Sequence, residues 1–309
     1  IAAVAGLAAL WLGAGLVARV SWTEPAGAPL TVALVQGNVP QDSKWRPELV
    51  QYTLDLYAGL TREHIDRQLI LWPEAALTAW YHEVANGYLA QLRTEARAHG
   101  SDIVLGIPVL DRDQRRYYNS LVSLGERPGV YHKRHLVPFG DFLPFEAALR
   151  GLIRFFDLPM SSFSPGPADQ PLLEAAGQKL ASAICYEDVF GEELIRALPQ
   201  AGLLVNATNN AWYGDSFAPH QHLEMSRLRA LETGRYMLRV TTNGVSAIID
   251  ERGRIRGRSP QFATHVLTGE AQVFQGATPY VRAGNVPVLV IVVLVIALGA
   301  HWARRLPPR

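Results

Sequence analysis

Cysteine is almost absent: Cys185 is the single one in 309 residues. One thiol cannot close a disulfide within the chain, so no disulfide scaffold holds this fold, and no CxxC pair is present for a thiolate metal site. An excess of one charge is missing as well. Lys and Arg number 29 against 28 Asp and Glu, a formal net charge of +1, which gives no electrostatic case for a nucleic-acid partner. Arg252, Arg254, Arg256 and Arg258 do cluster, but glycines stand among them and no aromatic ladder accompanies them, so they read as a solvated hairpin. There is no internal repeat, low-complexity tract or phosphate-binding glycine loop. The 49% hydrophobic and 18% charged residues describe a packed, enzyme-sized chain.

Long uncharged apolar runs occur only at the two ends. Val286 to Trp302 approaches the ~20 residues that cross a bilayer and is expected to form a C-terminal transmembrane helix over 286–302. Residues 303–309, with Arg304, Arg305 and Arg309, are then a basic cytoplasmic tail under the positive-inside rule, which leaves the bulk of the chain outside the cytoplasm. At the other end, Ile1 to Val17 is rich in Ala and Gly, and residues 1–20 are expected to form a second crossing with Trp22 as an interfacial anchor. Ala2 with Gly6, and Ala9 with Gly13, make small-residue faces suited to helix packing. Without an initiator Met, this crossing is expected to be the last of a bundle that begins upstream.

Between the ends, apolar strands alternate with helical segments. Strands are expected at Thr31 to Gln36, Leu69 to Trp72, Ile103 to Val109, Asn119 to Leu124, Lys179 to Cys185, Leu203 to Asn206, Met237 to Thr242 and Val245 to Ile249. Helices are expected at Pro47 to Ile65, Val84 to His99, Glu192 to Ala197 and Pro219 to Thr233. This order argues an α/β or mixed α+β layered domain. The irregular stretch from Phe139 to Pro171 is long for a connection and is a candidate lid. Its Phe139, Phe142, Leu143, Phe145, Leu149, Leu152, Ile153, Phe155 and Phe156 could meet a membrane interface or close the core.

Cys185 ends an apolar run, Leu180 to Ile184, and Tyr186-Glu187-Asp188 follow it at once. A strand-to-turn corner exposes a side chain together with backbone N–H groups, the arrangement that acyl transfer through a thiol requires. The alternative is a small buried hydrophobe, since free cysteine is among the most buried residue types. A nucleophile needs a base and a stabiliser of negative charge. Glu74 closes Leu69-Ile70-Leu71-Trp72-Pro73-Glu74, where partial burial beside Trp72 is expected to raise its pKa and make it a general base. Lys133 lies in Tyr131-His132-Lys133-Arg134-His135, where a fixed ammonium could stabilise an oxyanion. His132 and His135 offer a rival Cys–His dyad, though neither is followed closely by an orienting carboxylate. His220, His222 and Glu224 lack the spacing of a helical zinc site, and a polar helix start is the better reading.

Glu74 after a strand, Lys133 in a basic-then-apolar segment and Cys185 before Tyr186-Glu187 resemble the Glu-Lys-Cys triad of the nitrilase, or carbon-nitrogen hydrolase, superfamily. The likeness runs from about Leu30 to Val273 and includes Val32 to Asn38 and Asn206 to Gly214. Lys133 to Gly140, Val35 to Gln41 and the apolar flanks are similar to the apolipoprotein N-acyltransferase family within it. That resemblance implies an α+β four-layer α-β-β-α sandwich over residues 30–275 with a transmembrane helix at each end, held on the periplasmic face of a bacterial inner membrane. It implies a phospholipid acyl donor, a Cys185 thioester and a diacylated apolipoprotein acceptor, with Glu74 as base, Lys133 stabilising the oxyanions and no metal or cofactor. Trp45, Tyr186 and Glu187 fall where that family has required residues near the acyl pocket. Asp141 stands where it usually has Glu, one methylene longer. A membrane-tethered amidase acting on a small amide through the same triad is the alternative, and a catalytically dead scaffold is a third reading.

Overall fold

The computed structural model describes residues 2–17, 19–142 and 163–305. Its strands are β1 (Thr23–Pro25), β2 (Leu30–Gln36), β3 (Leu69–Leu71), β4 (Asp102–Asp111), β5 (Arg116–Ser123), β6 (Gly129–His132), β7 (Leu173–Ala175), β8 (Gln178–Ile184), β9 (Leu203–Thr208), β10 (Met237–Thr241), β11 (Ala247–Ile249), β12 (Ile255–Arg258), β13 (His265–Ala271) and β14 (Phe274–Gly276). They form two six-stranded sheets, ordered β13-β2-β3-β4-β5-β6 and β12-β11-β10-β9-β8-β7. In each sheet the middle is parallel, β2-β3-β4 in one and β8-β9-β10 in the other, and antiparallel strands flank it.

Side-chain alternation divides these strands between separate cores. Along β2, Leu30, Val32 and Leu34 turn to a shared core with Ile184, Val205 and Val240 of the other sheet. Ala33 and Val35 turn the opposite way, onto α2 (Val50–Arg62) and α3 (Ala90–Ala98) through Leu54, Tyr57, Leu92 and Ala96. The second sheet packs Ala183, Leu204 and Ile249 against Leu223 and Ala230 of α4 (Ala218–Thr233). The result is the expected four-layer α-β-β-α sandwich.

Several boundaries differ from expectation for local reasons. The helix expected over Val84 to His99 opens into a π turn at Ala85–Leu89, where Asn86 and Gly87 are weak helix formers. The strand expected to include Cys185 stops at Ile184, because Cys185 adopts φ 55° and leaves the ladder. The short or half-exposed strands β1, β6, β7, β12, β13 and β14 carry little apolar signal. Of the candidate lid, residues 143–162 lie outside the described residues, and with them Leu143, Phe145, Leu149, Leu152, Ile153, Phe155 and Phe156.

The ends of the domain meet in a two-stranded ladder, with Thr23 opposite Gly276 and Pro25 opposite Phe274. Beyond it lie the helices α1 (Ala2–Val17) and, on the C-terminal side, α5 (Val286–Arg305). Among the described residues no helix is long and apolar enough to cross a membrane. Both helices nonetheless expose large apolar side chains, including Leu10, Trp11, Ile296 and Trp302.

One close approach ties the sheet to the Glu74 turn. A Cβ at Gly106 of β4 would overlap the Pro73 carbonyl oxygen and lie 2.6 Å from the Ala75 nitrogen. Gly106→Ala is therefore expected to push that turn off the sheet at a cost of about 1–3 kcal/mol. A lowered urea midpoint with an unchanged slope would bear this out, and an unchanged midpoint would contradict it.

Candidate active site

The site lies at the C-terminal ends of the parallel strands, where open α/β sheets present their loops. Cys185 follows β8 in a left-handed backbone conformation that costs a non-glycine residue on the order of 1–3 kcal/mol. Two side chains hold that corner. Glu187 Oε2 accepts the Ile184 N–H at 2.7 Å, and Asn206 Nδ2 donates to the Cys185 carbonyl at 2.7 Å. Cys185 is 8% exposed and borders a cavity of about 340 Å³.

Glu74, Lys133 and Asp141 line the same cavity. Lys133, 1% exposed just past β6, places its Nζ 3.0 Å from Glu74 Oε1 and 2.8 Å from Asp141 Oδ2. The shorter Asp141 therefore reaches the ammonium, and it also accepts the Val137 N–H at 2.8 Å. Glu74 receives Asn119 Nδ2 at 2.7 Å and, from the second sheet, the Asn209 N–H at 2.8 Å.

The charges of these groups follow from that geometry. Burial pushes the Glu74 carboxyl up, but Lys133, Asn119 and the Asn209 N–H outweigh it and hold Glu74 below the ordinary carboxylate range. The expected rise is thus overturned: Trp72 gives its indole N–H to Thr61 at 3.0 Å, and the neighbours that matter to Glu74 are donors. Lys133 loses by burial and gains more from Glu74 and Asp141, which hold it well above its usual value. Burial, reinforced by Glu74, pushes the Cys185 thiol up despite Lys133. The resting site holds a carboxylate, an ammonium and a neutral thiol.

The remaining wall includes Gln41, Trp45, Val137, Phe139, Trp212 and Tyr213. Tyr186 and Glu187 stand behind it. Tyr186 donates its hydroxyl to the Leu136 carbonyl at 2.8 Å, and Glu187 Oε1 accepts the Arg134 and His135 N–H groups at 2.7 and 3.1 Å. These two residues brace the Lys133 loop against the Cys185 turn. The histidines are engaged elsewhere: His132 stacks on Tyr118 at 4.2 Å, His135 stacks on Phe190 at 3.6 Å and meets Glu193, and His222 lies 2.8 Å from Asp188. Among the described residues no cluster of three His, Cys, Asp or Glu side chains is placed to hold a metal.

Nothing in the local sequence marks Lys44, Asn119, Asn209 or Arg239 as neighbours of the site. The nearest sequence signal is the Asn-rich run Asn206 to Asn210 at the end of an apolar strand. Lys44 is 1% exposed and reaches the Glu74 carbonyl at 3.3 Å, pinning the loop that carries Gln41 and Trp45.

A four-layer sandwich that gathers a cysteine, a carboxylate and an ammonium at its parallel strand ends has the architecture of the nitrilases. The chain belongs to the carbon-nitrogen hydrolase family, which its sequence matches over residues 31–277. It is 49% identical to the apolipoprotein N-acyltransferase of Methylococcus capsulatus over 98% of this chain and 60% of that protein. It is 47% identical to that of Nitrosomonas europaea over 96% of this chain and 59% of that protein. The chain thus spans about three fifths of the length of these curated relatives. The crystal structure of Saccharomyces cerevisiae Nit3, a member of branch 10 of the nitrilase superfamily, shares the fold with a TM-score of 0.58. Its identity is 18%, over 81% of this chain and 93% of that one.

Lys44 yields a pH-dependent prediction. Burial pushes its ammonium down to about 8, with the Glu74 charge pulling the other way. The unfolded value is ~10.4, so the native protein releases this proton first and its stability should climb between those two pH values. Lys44→Met should remove that increment, measured as urea midpoints at either end of the window. An equal rise in the variant would assign it to another group.

Proposed function

We propose that this protein is an N-acyltransferase that moves an acyl chain from a phospholipid, through a Cys185 thioester, to the N-terminal amine of a diacylglyceryl-cysteine lipoprotein. The observation that carries this reading is the cavity, in which Cys185 faces a wall of Trp45, Val137, Phe139, Trp212 and Tyr213. Such a wall suits an acyl chain better than a small polar amide. The named relatives favour the same choice over amidase chemistry.

In the first half-reaction the thiol attacks the ester carbonyl while its proton passes to the Glu74 carboxylate. With the thiol held up and Glu74 held down, proton transfer accompanies attack instead of preceding it. The carbonyl electrons move onto oxygen, and the Lys133 ammonium together with backbone N–H groups stabilises the oxyanion. Collapse breaks the ester C–O bond, and the departing lysophospholipid takes the proton back from Glu74. In the second half-reaction the lipoprotein amine attacks the thioester and gives its proton to Glu74. The Cys185 sulfur leaves as thiolate and takes that proton from Glu74, which restores the carboxylate and the neutral thiol. Asp141 orients Lys133, Trp45 walls the acyl site, and Tyr186 and Glu187 keep the Lys133 loop and Cys185 turn in register.

Residues 30–275 form the catalytic domain in this reading, and the apolar segments 1–20 and 286–302 belong to its membrane crossings, with residues 303–309 in the cytoplasm. The β1–β14 ladder supports that arrangement because it sends both flanking segments from the same end of the domain. Exposed Phe139, Trp212 and Tyr213 at the cavity, and Phe217 at 83% exposure, offer apolar contacts to a bilayer surface. The domain then sits on the periplasmic face of a bacterial inner membrane.

Incubating the full chain with phosphatidylethanolamine vesicles should add one acyl mass to the protein, removable by hydroxylamine and absent in Cys185→Ala. Adding a diacylated lipopeptide should discharge it as N-acyl product. Glu74→Gln should slow thioester formation by roughly 10²–10⁴-fold. N-acyl product formed by Cys185→Ala would exclude the covalent route. Discharge only to water would favour the amidase.

A further inference from the structure

Several buried groups that take no part in the proposed chemistry are linked to the Cys185 backbone through Asn206. Asp188, Asn206, Asn210, His222, Ser226 and Arg239 are all buried and form one connected cluster. Arg239, on β10, donates through one terminal nitrogen to Asn206 Oδ1 at 2.7 Å and Ser226 Oγ at 3.0 Å. Its other terminal nitrogen donates to Asn210 Oδ1 at 3.0 Å. Asp188 lies 3.8 Å from the guanidinium and accepts from Ser226.

A guanidinium can only donate. The Asn206 amide atom facing Arg239 must therefore be oxygen, a placement that the Thr208 hydroxyl reinforces. This directs Nδ2 to the Cys185 carbonyl, 2.7 Å away. Turning the amide over would set oxygen against oxygen and release that carbonyl. Cys185 meanwhile holds φ 55°, which a non-glycine residue keeps only when its surroundings impose it. We infer that Arg239 is a positioning residue for the nucleophile, fixing the Asn206 carboxamide so that it clamps the strained Cys185 backbone and aims the thiol at the cavity. The inference rests on Cys185 being the nucleophile proposed above.

Arg235 supplies the control. It is equally buried, but its donors go to the Ala201, Gly234 and Gly276 carbonyls, at the opposite end of the parallel strands. Glu74, Lys133, Asp141 and Tyr213 line the thiol's cavity, and the charge of Arg239 behind it and the Tyr186 phenol also act at that position. Of these, Lys133 and Arg239 favour the thiolate.

Two measurements on the full chain test the idea without lipid or lipoprotein: acylation of Cys185 by p-nitrophenyl acetate, read as p-nitrophenol release, and alkylation by iodoacetamide across pH. Thermal unfolding is recorded alongside. Arg239→Met and Asn206→Leu should each slow acylation by roughly 100-fold with little change in KM, as misplaced reacting groups do. Arg239→Met should also move the alkylation profile to higher pH, and Asn206→Leu should not. Arg239→Lys should restore the profile but not acylation, since an ammonium lacks the fork that engages three acceptors. Arg235→Met should lose stability with both reactivities intact.

Wild-type acylation in a folded Arg239→Met would overturn the inference, as would equal slowing in Arg235→Met. Should Arg239→Met fail to fold, wild-type acylation in both Asn206→Leu and Arg239→Lys would overturn it instead. A wild-type Cys185 inert to both reagents would overturn the inference together with the nucleophile reading. Normal reactivity without lipid transfer would remove only the proposed substrates.

Discussion

Lys133 is an ammonium taken out of water, and it keeps its charge because Glu74 and Asp141 meet it at 3.0 and 2.8 Å. A buried cation with one partner removed would face a large desolvation penalty. The three groups therefore have to arrive together, and much of the fold is arranged around that requirement. Glu74 follows β3, Lys133 follows β6, and Asp141 lies in the loop beyond. The second sheet is bound into the same arrangement through the Asn209 N–H on Glu74. A shift of one sheet over the other would break the charge cluster before it disturbed the apolar contacts, which tolerate sliding far better than a hydrogen bond does.

The cluster also separates two electrostatic tasks. Lys133 and the N–H donors keep Glu74 ionised, while burial, with the nearby negative charges, keeps Cys185 protonated. The carboxylate is thus held charged and the thiol neutral within one cavity.

How legible all this is in the sequence depends on where each determinant lies along the chain. β2, β4, β8, β9 and β10 announce themselves because they are largely buried on both faces and read as mostly apolar runs. β13 does not, since it lies at a sheet edge with alternate residues exposed. Glu74, Lys133 and Cys185 could be chosen because each follows a strand and their order matches a known family. The direction in which Glu74 titrates could not be read, because its deciding partner lies 59 residues away and a third donor 135 residues away. Lys44 and Arg239 look like ordinary surface cations until the Pro40–Arg46 loop folds inward and β10 takes the middle of its sheet.

The three-residue ladder between β1 and β14 has a consequence for how the domain relates to the rest of its chain. Entry and exit lie side by side, separated by about one strand spacing, ~4.8 Å. In topological terms the sandwich is a closed loop hung from a single clasp. Such a module can be lifted out, circularly permuted or grafted between other segments with its internal strand pairings untouched, because every one of them closes inside the clasp.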